Sequence, residues 1–535
     1  MLLPSLAAGV LLALSLPPWG LWPLAFVGAG LLYWRLGGLR LRARLWSGWT
    51  AGLGCYVVGL WWTGSFNWYG AAVLMAVEAL SMGVAAALVP PRRGRILAFA
   101  GAFTLLEYLR MTWPFGGLPI GGVFLGQAGG PLLGTARLGG PLLLTAVVWT
   151  GGAALGALAE ALVQAPMQAF TRAPVPVASA KGARRRLAPG IAAVGVVIAL
   201  GVGGALAPDG GGAVGHVRVA TVQGGGRRGV SDAQVNPATV FQAQLDATAL
   251  IPGRDHGDPP SLVLWPEDVI ALDGYLTGSP EEATMATLAR SLHATVVAGV
   301  TETVSSTAFR NEAVAWGPGG RIVGTYEKVH RVPFGEYVPY RSFFAHLANL
   351  SRVPLTAIPG HGSGFLRTPA APLGIMISYE VFFSNRSRPA VDAGAQLLVV
   401  PTNTSSYATS QVPTQEVAAD RVQAVEEGRD LVQAAPTGYS TVVTHQGAVL
   451  QRTVLGHRQV LVATVALRTG RTVFSYVGDL PMLVLGGLAL VAGWLLAAGW
   501  FGAGAVLGAG DAPDPDDPLD AGDPAGRKGQ VGGQS

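Results

Sequence analysis

The stretch Tyr326-Glu-Lys328-Val-His330-Arg-Val-Pro-Phe-Gly335-Glu336-Tyr337-Val-Pro339 decides the fold of this chain. A β-rich run ends near Lys328 and passes into a loop of Pro, Gly and aromatic residues. The run P-F-G-E-Y-V-P within it is long and compositionally improbable. Two other segments share the build of an apolar run closing on a reactive side chain. One is Leu262-Val-Leu-Trp265-Pro-Glu267, where Pro266 ends the strand ladder and lets Glu267 project into a cleft. The other is Gly374-Ile-Met-Ile-Ser378-Tyr379-Glu380, which puts a hydroxyl between an apolar strand and an expected helix. That is a position in which a nucleophile can be exposed.

The surrounding chain is long and uneven. Of 535 residues, 50% are hydrophobic and only 13% charged. The apolar residues concentrate in 1–210 and 479–508, whereas 215–470 has the mixed composition of a soluble domain. The net charge of +5 is modest, and its arginines cluster in short loops between apolar runs. That pattern reads as membrane topology and excludes a nucleic-acid surface. The single cysteine, Cys55, excludes an intrachain disulfide and a cysteine-based zinc site. The eight histidines lack tight ligand spacing, so no metal and no cofactor are expected. Gly224-Gly-Gly-Arg-Arg-Gly229 lacks a Walker pattern and reads as a flexible turn.

A spanning helix needs about 20 mainly apolar residues. Eight stretches approach this: 3–16, 20–34, 46–63, 70–90, 96–111, 139–162, 188–207 and 479–503. Arginine and lysine gather in the loops 35–44, 91–95 and 164–187, and the alternate loops are nearly bare. Basic loops mark the cytoplasmic side. The expected arrangement is seven helices in 1–210, an extracytoplasmic domain at 215–470, an eighth helix in 479–508 and a disordered cytoplasmic tail at 509–535. Glu107 and Arg110, spaced i, i+3 inside an apolar run, are expected to pair. Trp61, Trp62, Trp68 and Tyr69 fit an outer-leaflet aromatic belt.

Within 215–470, strands are expected at 216–223, 261–265, 294–300, 312–317, 321–326, 373–378, 396–401, 430–435, 440–445 and 459–466. Helices are expected at 233–250, 281–292, 384–393 and 413–428. Many short strands with interspersed helices suggest a layered α/β domain, and propensity does not fix the strand order.

Glu267, Lys328 and a nucleophile at 378, in that chain order, resemble the nitrilase (carbon–nitrogen hydrolase) superfamily. The membrane-bound branch of that superfamily is apolipoprotein N-acyltransferase. The likeness extends to Pro17-Pro-Trp-Gly-Leu-Trp-Pro23, Val222-Gln223-Gly224, Asn311-Glu-Ala-Val, Glu426-Glu-Gly-Arg429 and Gly478-Asp479. Departures are Thr402-Asn-Thr-Ser-Ser-Tyr407 where the family commonly reads T-N-D-x-W-F, and Ala435-Pro-Thr-Gly438 where it often reads T-N-T-G. The position of Ser378 is the family's catalytic cysteine.

The resemblance implies a polytopic α-helical membrane domain joined to an external αββα sandwich of the nitrilase type. It implies a base at Glu267, an oxyanion-stabilising ammonium at Lys328 and the nucleophile position at Ser378, with Glu336, Tyr379 and Glu380 in support. The implied reaction is ping-pong. An acyl chain passes from a phospholipid donor to the α-amino group of a diacylglyceryl lipoprotein in a bacterial inner membrane. Here the intermediate would be an oxygen ester instead of a thioester. Two other readings remain open: a catalytically impaired homologue that binds lipoprotein or phospholipid, and a membrane-tethered amidase.

Overall fold

The computed structural model describes residues 2–170, 180–226, 235–252, 258–346, 350–351, 353–407 and 410–500. The tail at 509–535, Arg172, and parts of the Gly224–Gly229 turn and of the 233–250 helix window lie outside the described residues.

The first part is helical: α1 (Leu3–Ser15), α2 (Pro23–Leu36), α3 (Leu41–Gly59), α4 (Trp68–Leu88), α5 (Arg95–Thr112), α6 (Ala136–Phe170) and α7 (Ala180–Leu206). Among the described residues, four segments are long and apolar enough to cross a membrane: Trp68–Leu88, Leu133–Val163, Arg184–Leu206 and Leu480–Ala497. The first of the expected spans, α1, is apolar but shorter. Helix α6 breaks at Gly139 and Gly140. Gly140 has φ +59°, and a Cβ there would lie 2.5 Å from the Phe474 ring.

The α/β part contains β1 (Gly215–Gln223), α8 (Pro237–Thr248), β2 (Leu262–Leu264), β3 (Ile270–Leu272), α9 (Pro280–Leu292), β4 (Thr295–Ser305), β5 (Ala308–Trp316) and β6 (Ile322–Glu327). It continues with α10 (Arg341–Phe344), β7 (Thr356–Ala357), β8 (Phe365–Arg367), β9 (Pro372–Ile375), α11 (Ser384–Asp392), β10 (Leu397–Pro401) and α12 (Val412–Glu427). It ends with β11 (Leu431–Ala434), β12 (Thr441–Val443), β13 (Val449–Arg452), β14 (Gln459–Leu467) and α13 (Val473–Val477), after which α14 (Leu480–Ala497) is again apolar.

The strands form two sheets. One runs β14-β1-β2-β4-β5-β6, with β3 on β4 and β7 on β5; the other runs β13-β12-β11-β10-β9-β8. Strand periodicity explains the layers. In β10, Leu397 and Val399 face the opposite sheet with Val219, Leu262, Leu264 and Val297. The alternate residues Leu398 and Val400 join a different cluster. On the first sheet, Val263, Val296 and Val314 pack under α8 and α9 with Val240 and Met285. The result is helix, sheet, sheet, helix.

The outer helical layer of the second sheet is shared with the apolar helices. Val422 and Val425 of α12 and Phe382 belong to one cluster with Leu12, Phe103, Leu125 and Val148. Gln415 accepts the Gly121 N–H at 2.9 Å, and Gln411 donates to the Val58 carbonyl at 2.9 Å. Trp62, expected in an aromatic belt, instead packs its ring at 5.1 Å from Tyr407 of the α/β part. Trp61, Trp68 and Tyr69 are exposed.

The Glu107–Arg110 pair forms at 2.8 Å, and Glu78 of α4 adds a second carboxylate at 3.4 Å. Close helix contacts rest on glycine. Where α14 crosses α5, a Cβ on Gly101 would lie 2.4 Å from the Gly486 carbonyl oxygen.

Candidate active site

Glu267 follows β2, and its neighbour Asp268 has φ +56°. Strand β4 passes so close that a Cβ on Gly299 would lie 2.4 Å from the Glu267 Cα. The adjoining strands β5 and β6 pair antiparallel, with Glu312 opposite Glu327. The ladder continues one step, where the Lys328 N–H donates to the Asn311 carbonyl at 2.8 Å. The ends of β2 and β6 and an inner position of β5 therefore deliver a carboxylate, an ammonium and an amide to one place.

There the Lys328 Nζ lies 2.8 Å from Glu267 Oε1 and 2.6 Å from Glu336 Oε1. Asn311 Nδ2 bridges the same two oxygens at 2.8 and 3.3 Å. The other oxygen of Glu336 accepts the Val332 N–H at 2.7 Å, which fixes the loop. Lys328 is 1% exposed and Glu267 3%. Burial works against the Lys328 ammonium, but the Glu267 and Glu336 carboxylates outweigh it and hold the amine charged. Burial raises Glu267 above the ordinary carboxylate range, with Lys328 opposing. The pair can stabilise an oxyanion and take up a proton.

Ser378 lies three residues past β9 and is half-buried. Its φ is +51°, a left-handed conformation unusual for a residue with a Cβ. Such strain persists only where the surroundings over-determine it. Glu380 supplies part of that constraint. One of its oxygens accepts the N–H groups of Val329 and His330, each at 2.9 Å, and the other accepts the Ile377 N–H at 2.9 Å. The Tyr326 hydroxyl donates to both, at 2.9 and 3.0 Å. A single buried carboxylate thus ties the Lys328 loop to the Ser378 turn. Burial raises its pKa, and the backbone donors oppose that.

Tyr379 points away from this carboxylate. Its hydroxyl donates to the Gly117 carbonyl at 2.9 Å, joining the turn to the segment after α5. Tyr337 does the same to Phe115 at 3.0 Å. His330 stacks on Phe383 at 3.7 Å; burial, with Arg386 and Lys328 nearby, pushes its pKa down to about 4. Among the described residues, no group of three His, Cys, Asp or Glu side chains could hold a metal ion.

Sequence reasoning quoted the Asn311 segment without giving Asn311 a role, and it missed Glu416. Asn311 was recoverable only from the strand register that sets it opposite Lys328. Glu416 gave no local signal.

Residues 8–154 match the apolipoprotein N-acyltransferase N-terminal domain, and residues 251–473 match the carbon–nitrogen hydrolase domain. Among solved structures, a Saccharomyces cerevisiae member of branch 10 of the nitrilase superfamily has a TM-score of 0.36 and 17% identity, covering 48% of this chain and 91% of that one. A carbon–nitrogen hydrolase from Helicobacter pylori has a TM-score of 0.35 and 18% identity, covering 46% and 88%. The apolipoprotein N-acyltransferase of Sinorhizobium medicae is 30% identical over 484 residues, 83% of this chain and 86% of that protein. That of Mycolicibacterium smegmatis is 30% identical over 517 residues, 91% of this chain and 84% of that protein. With both parts matched in order and relatives aligned along most of its length, the chain belongs to the apolipoprotein N-acyltransferase family.

Proposed function

We propose that this N-acyltransferase moves a fatty acyl chain from a phospholipid to the α-amino group of the S-diacylglyceryl-cysteine of a lipoprotein, through an acyl ester on Ser378. In the first half-reaction Ser378 Oγ attacks the phospholipid ester carbonyl and Glu267 receives the hydroxyl proton. Lys328 stabilises the tetrahedral oxyanion. The lysophospholipid alkoxide leaves and takes the proton from Glu267. In the second half-reaction the acceptor amine attacks the Ser378 ester and gives a proton to Glu267. The amide forms as Ser378 Oγ departs and recovers that proton.

The observation that carries this reading is the buried Lys328 ammonium held between Glu267 and Glu336. Its charge is fixed before any substrate arrives, so it needs no reorganisation when negative charge develops. The left-handed turn at Ser378, tied to the same loop through Glu380, supports the nucleophile assignment. Glu336 and Asn311 orient the pair, and Tyr379 braces the turn against the apolar helices.

Membrane-anchored substrates suit the outer surface of those helices. Ile191, Ile198 and Val202 of α7 and Val484, Leu488 and Val491 of α14 are exposed, an apolar face that fits lipid. The reading assigns 1–210 to seven spans, 215–470 to an extracytoplasmic domain and 479–508 to an eighth span in a bacterial inner membrane, with 509–535 on the cytoplasmic side. Intact-mass measurement after incubation with phospholipid tests the chemistry. The expected result is a gain of one acyl group located at Ser378; an unmodified Ser378, with acyl transfer still proceeding, overturns the mechanism.

A further inference from the structure

Strands β9 and β10 run parallel, with Leu373, Gly374 and Ile375 paired to Leu397, Leu398 and Val399. The Met376 N–H donates to the Val399 carbonyl at 3.1 Å, so the pairing continues beyond β9. Beyond Met376 the chain leaves the strand and turns at Ser378, and Thr402 directly follows β10, so both residues lie at the same end of the second sheet. The Thr402 hydroxyl donates to Glu416 Oε1 of α12 at 2.5 Å. Helix α12 is almost wholly buried. Glu416 is 1% exposed, and its Oε2 has no hydrogen-bond partner among the described residues. An ionised carboxylate with a bare buried oxygen is costly, whereas a carboxylic acid is far less so.

Three titratable groups act on Glu416: Glu267 and Lys328 across the site, and Asp420 one turn along α12, whose own carboxyl is pushed well above the usual range by burial. Glu380, on the turn beneath α12, is already occupied by its four donors. Lys328 already faces two carboxylates. A further negative charge beside them would draw the ammonium's field away from a developing oxyanion.

If the functional reading holds, we propose that Glu416 is a positioning residue of the acyl-transfer site, a buried carboxylic acid that holds Thr402 at the Ser378 end of the second sheet and must stay uncharged for Lys328 to serve the oxyanion. Burial pushes the Glu416 carboxyl up to about 8, with Thr402 and Lys328 opposing and Glu267 adding to the rise. Near neutral pH it is therefore protonated.

The test is the pH profile of transfer by the purified full chain, using phospholipid donor and a diacylglyceryl peptide. For the parent, kcat falls about tenfold per pH unit above the ionisation of Glu416, as for any single required proton. Glu416→Gln is permanently neutral. It loses part of kcat because an amide does not reproduce the acid's hydrogen bonds, KM holds, and the alkaline limb disappears. Glu416→Ala is slower than Glu416→Gln because Thr402 loses its partner. Thr402→Val keeps Glu416 but removes a donor that favours the charged form, so the limb moves to higher pH. An alkaline limb retained in Glu416→Gln, or equal rates for Gln and Ala, overturns the proposal.

Infrared difference spectra separate this from failure of the functional reading. The parent loses a protonated-carboxyl band across the alkaline range, and that component is missing from Glu416→Gln. If no form transfers acyl groups, including Ser378→Cys, the functional reading falls and the infrared result alone decides whether Glu416 is protonated. A band that does not depend on Glu416 overturns that assignment as well.

Discussion

Glu380 accepts the backbone N–H of His330 at 2.9 Å, and through its other oxygen that of Ile377, immediately before Ser378. The Lys328 loop and the nucleophile turn therefore share one anchor. Glu380→Gln turns one acceptor into a donor that faces existing donors. Each orphaned buried N–H costs about 1–3 kcal/mol. The expected outcome is a lower Tm together with a fall in acyl transfer that exceeds the loss of folded protein. Equal falls in the two would reduce Glu380 to a purely structural role.

Ser378 sets the chemistry. A thiol is far more acidic than an alcohol and less dependent on a base. Because the thiol needs less help from Glu267 than the alcohol does, Ser378→Cys should raise transfer by on the order of 10²-fold or more. Ser378→Ala should abolish it. Substantial transfer by the Ala form would refute a nucleophilic role for this residue.

Much of this site could be read from the sequence because its parts lie at strand ends. Leu262–Leu264 and Pro372–Ile375 are short apolar strands, and Pro266 and the turn at Ser378 end them. All ten expected strands appear. The four that were missed, β3, β7, β8 and β13, are two to four residues long and show too little periodicity. Helices occupy all eight expected apolar stretches, but among the described residues only four segments are long and apolar enough to cross a membrane. What local pattern could not give is partnership across distance. Asn311 meets Glu267 only through the β2–β4–β5 order of the first sheet, and Glu416 meets Thr402 only because α12 lies over the second sheet. Glu78 joined the Glu107–Arg110 pair for the same reason, since α4 and α5 are separate in sequence.

Lys328 separates the two demands on the cluster. Lys328→Met leaves Glu267 and Glu336 facing each other without a cation. Breaking a buried ion pair this way costs on the order of 3 kcal/mol. Removing an oxyanion stabiliser costs about 10²–10³ in kcat. Adding Glu336→Gln to Lys328→Met should restore much of the stability, read by chemical unfolding, and none of the transfer. Recovery of transfer in the double variant would show that Lys328 acts only as a structural counter-ion.

The placement of the α/β domain is open to direct labelling. The sole native cysteine, Cys55, is buried, so single introduced cysteines report cleanly. Thr287 on α9 and Arg93 in a basic loop are both exposed. In intact cells an impermeant maleimide should label Thr287→Cys and spare Arg93→Cys until the membrane is opened. The reverse pattern would invert the topology.

Glu427 offers a stability test away from the site. It is fully buried on α12, one oxygen accepts from Ser387 at 3.3 Å, and the other has no partner among the described residues. Burial, opposed by Arg429, pushes its carboxyl from 4.5 up to about 8. The folded protein keeps this proton through a range in which the unfolded chain has lost it. Between those two values the native state binds more protons, so the contribution of Glu427 to stability falls as pH rises and levels off above about 8. Glu427→Gln removes the charge that must be buried at high pH and changes little at low pH, where both side chains are neutral. Its Tm relative to the parent should therefore rise from pH 5 to about pH 8 and then level off. Other buried acids, Glu416 and Asp420 among them, titrate in both proteins and cancel in the difference. A Tm difference that stays constant across that range would mean that Glu427 is already ionised in the fold at pH 5, and that the neighbouring arginines outweigh its burial.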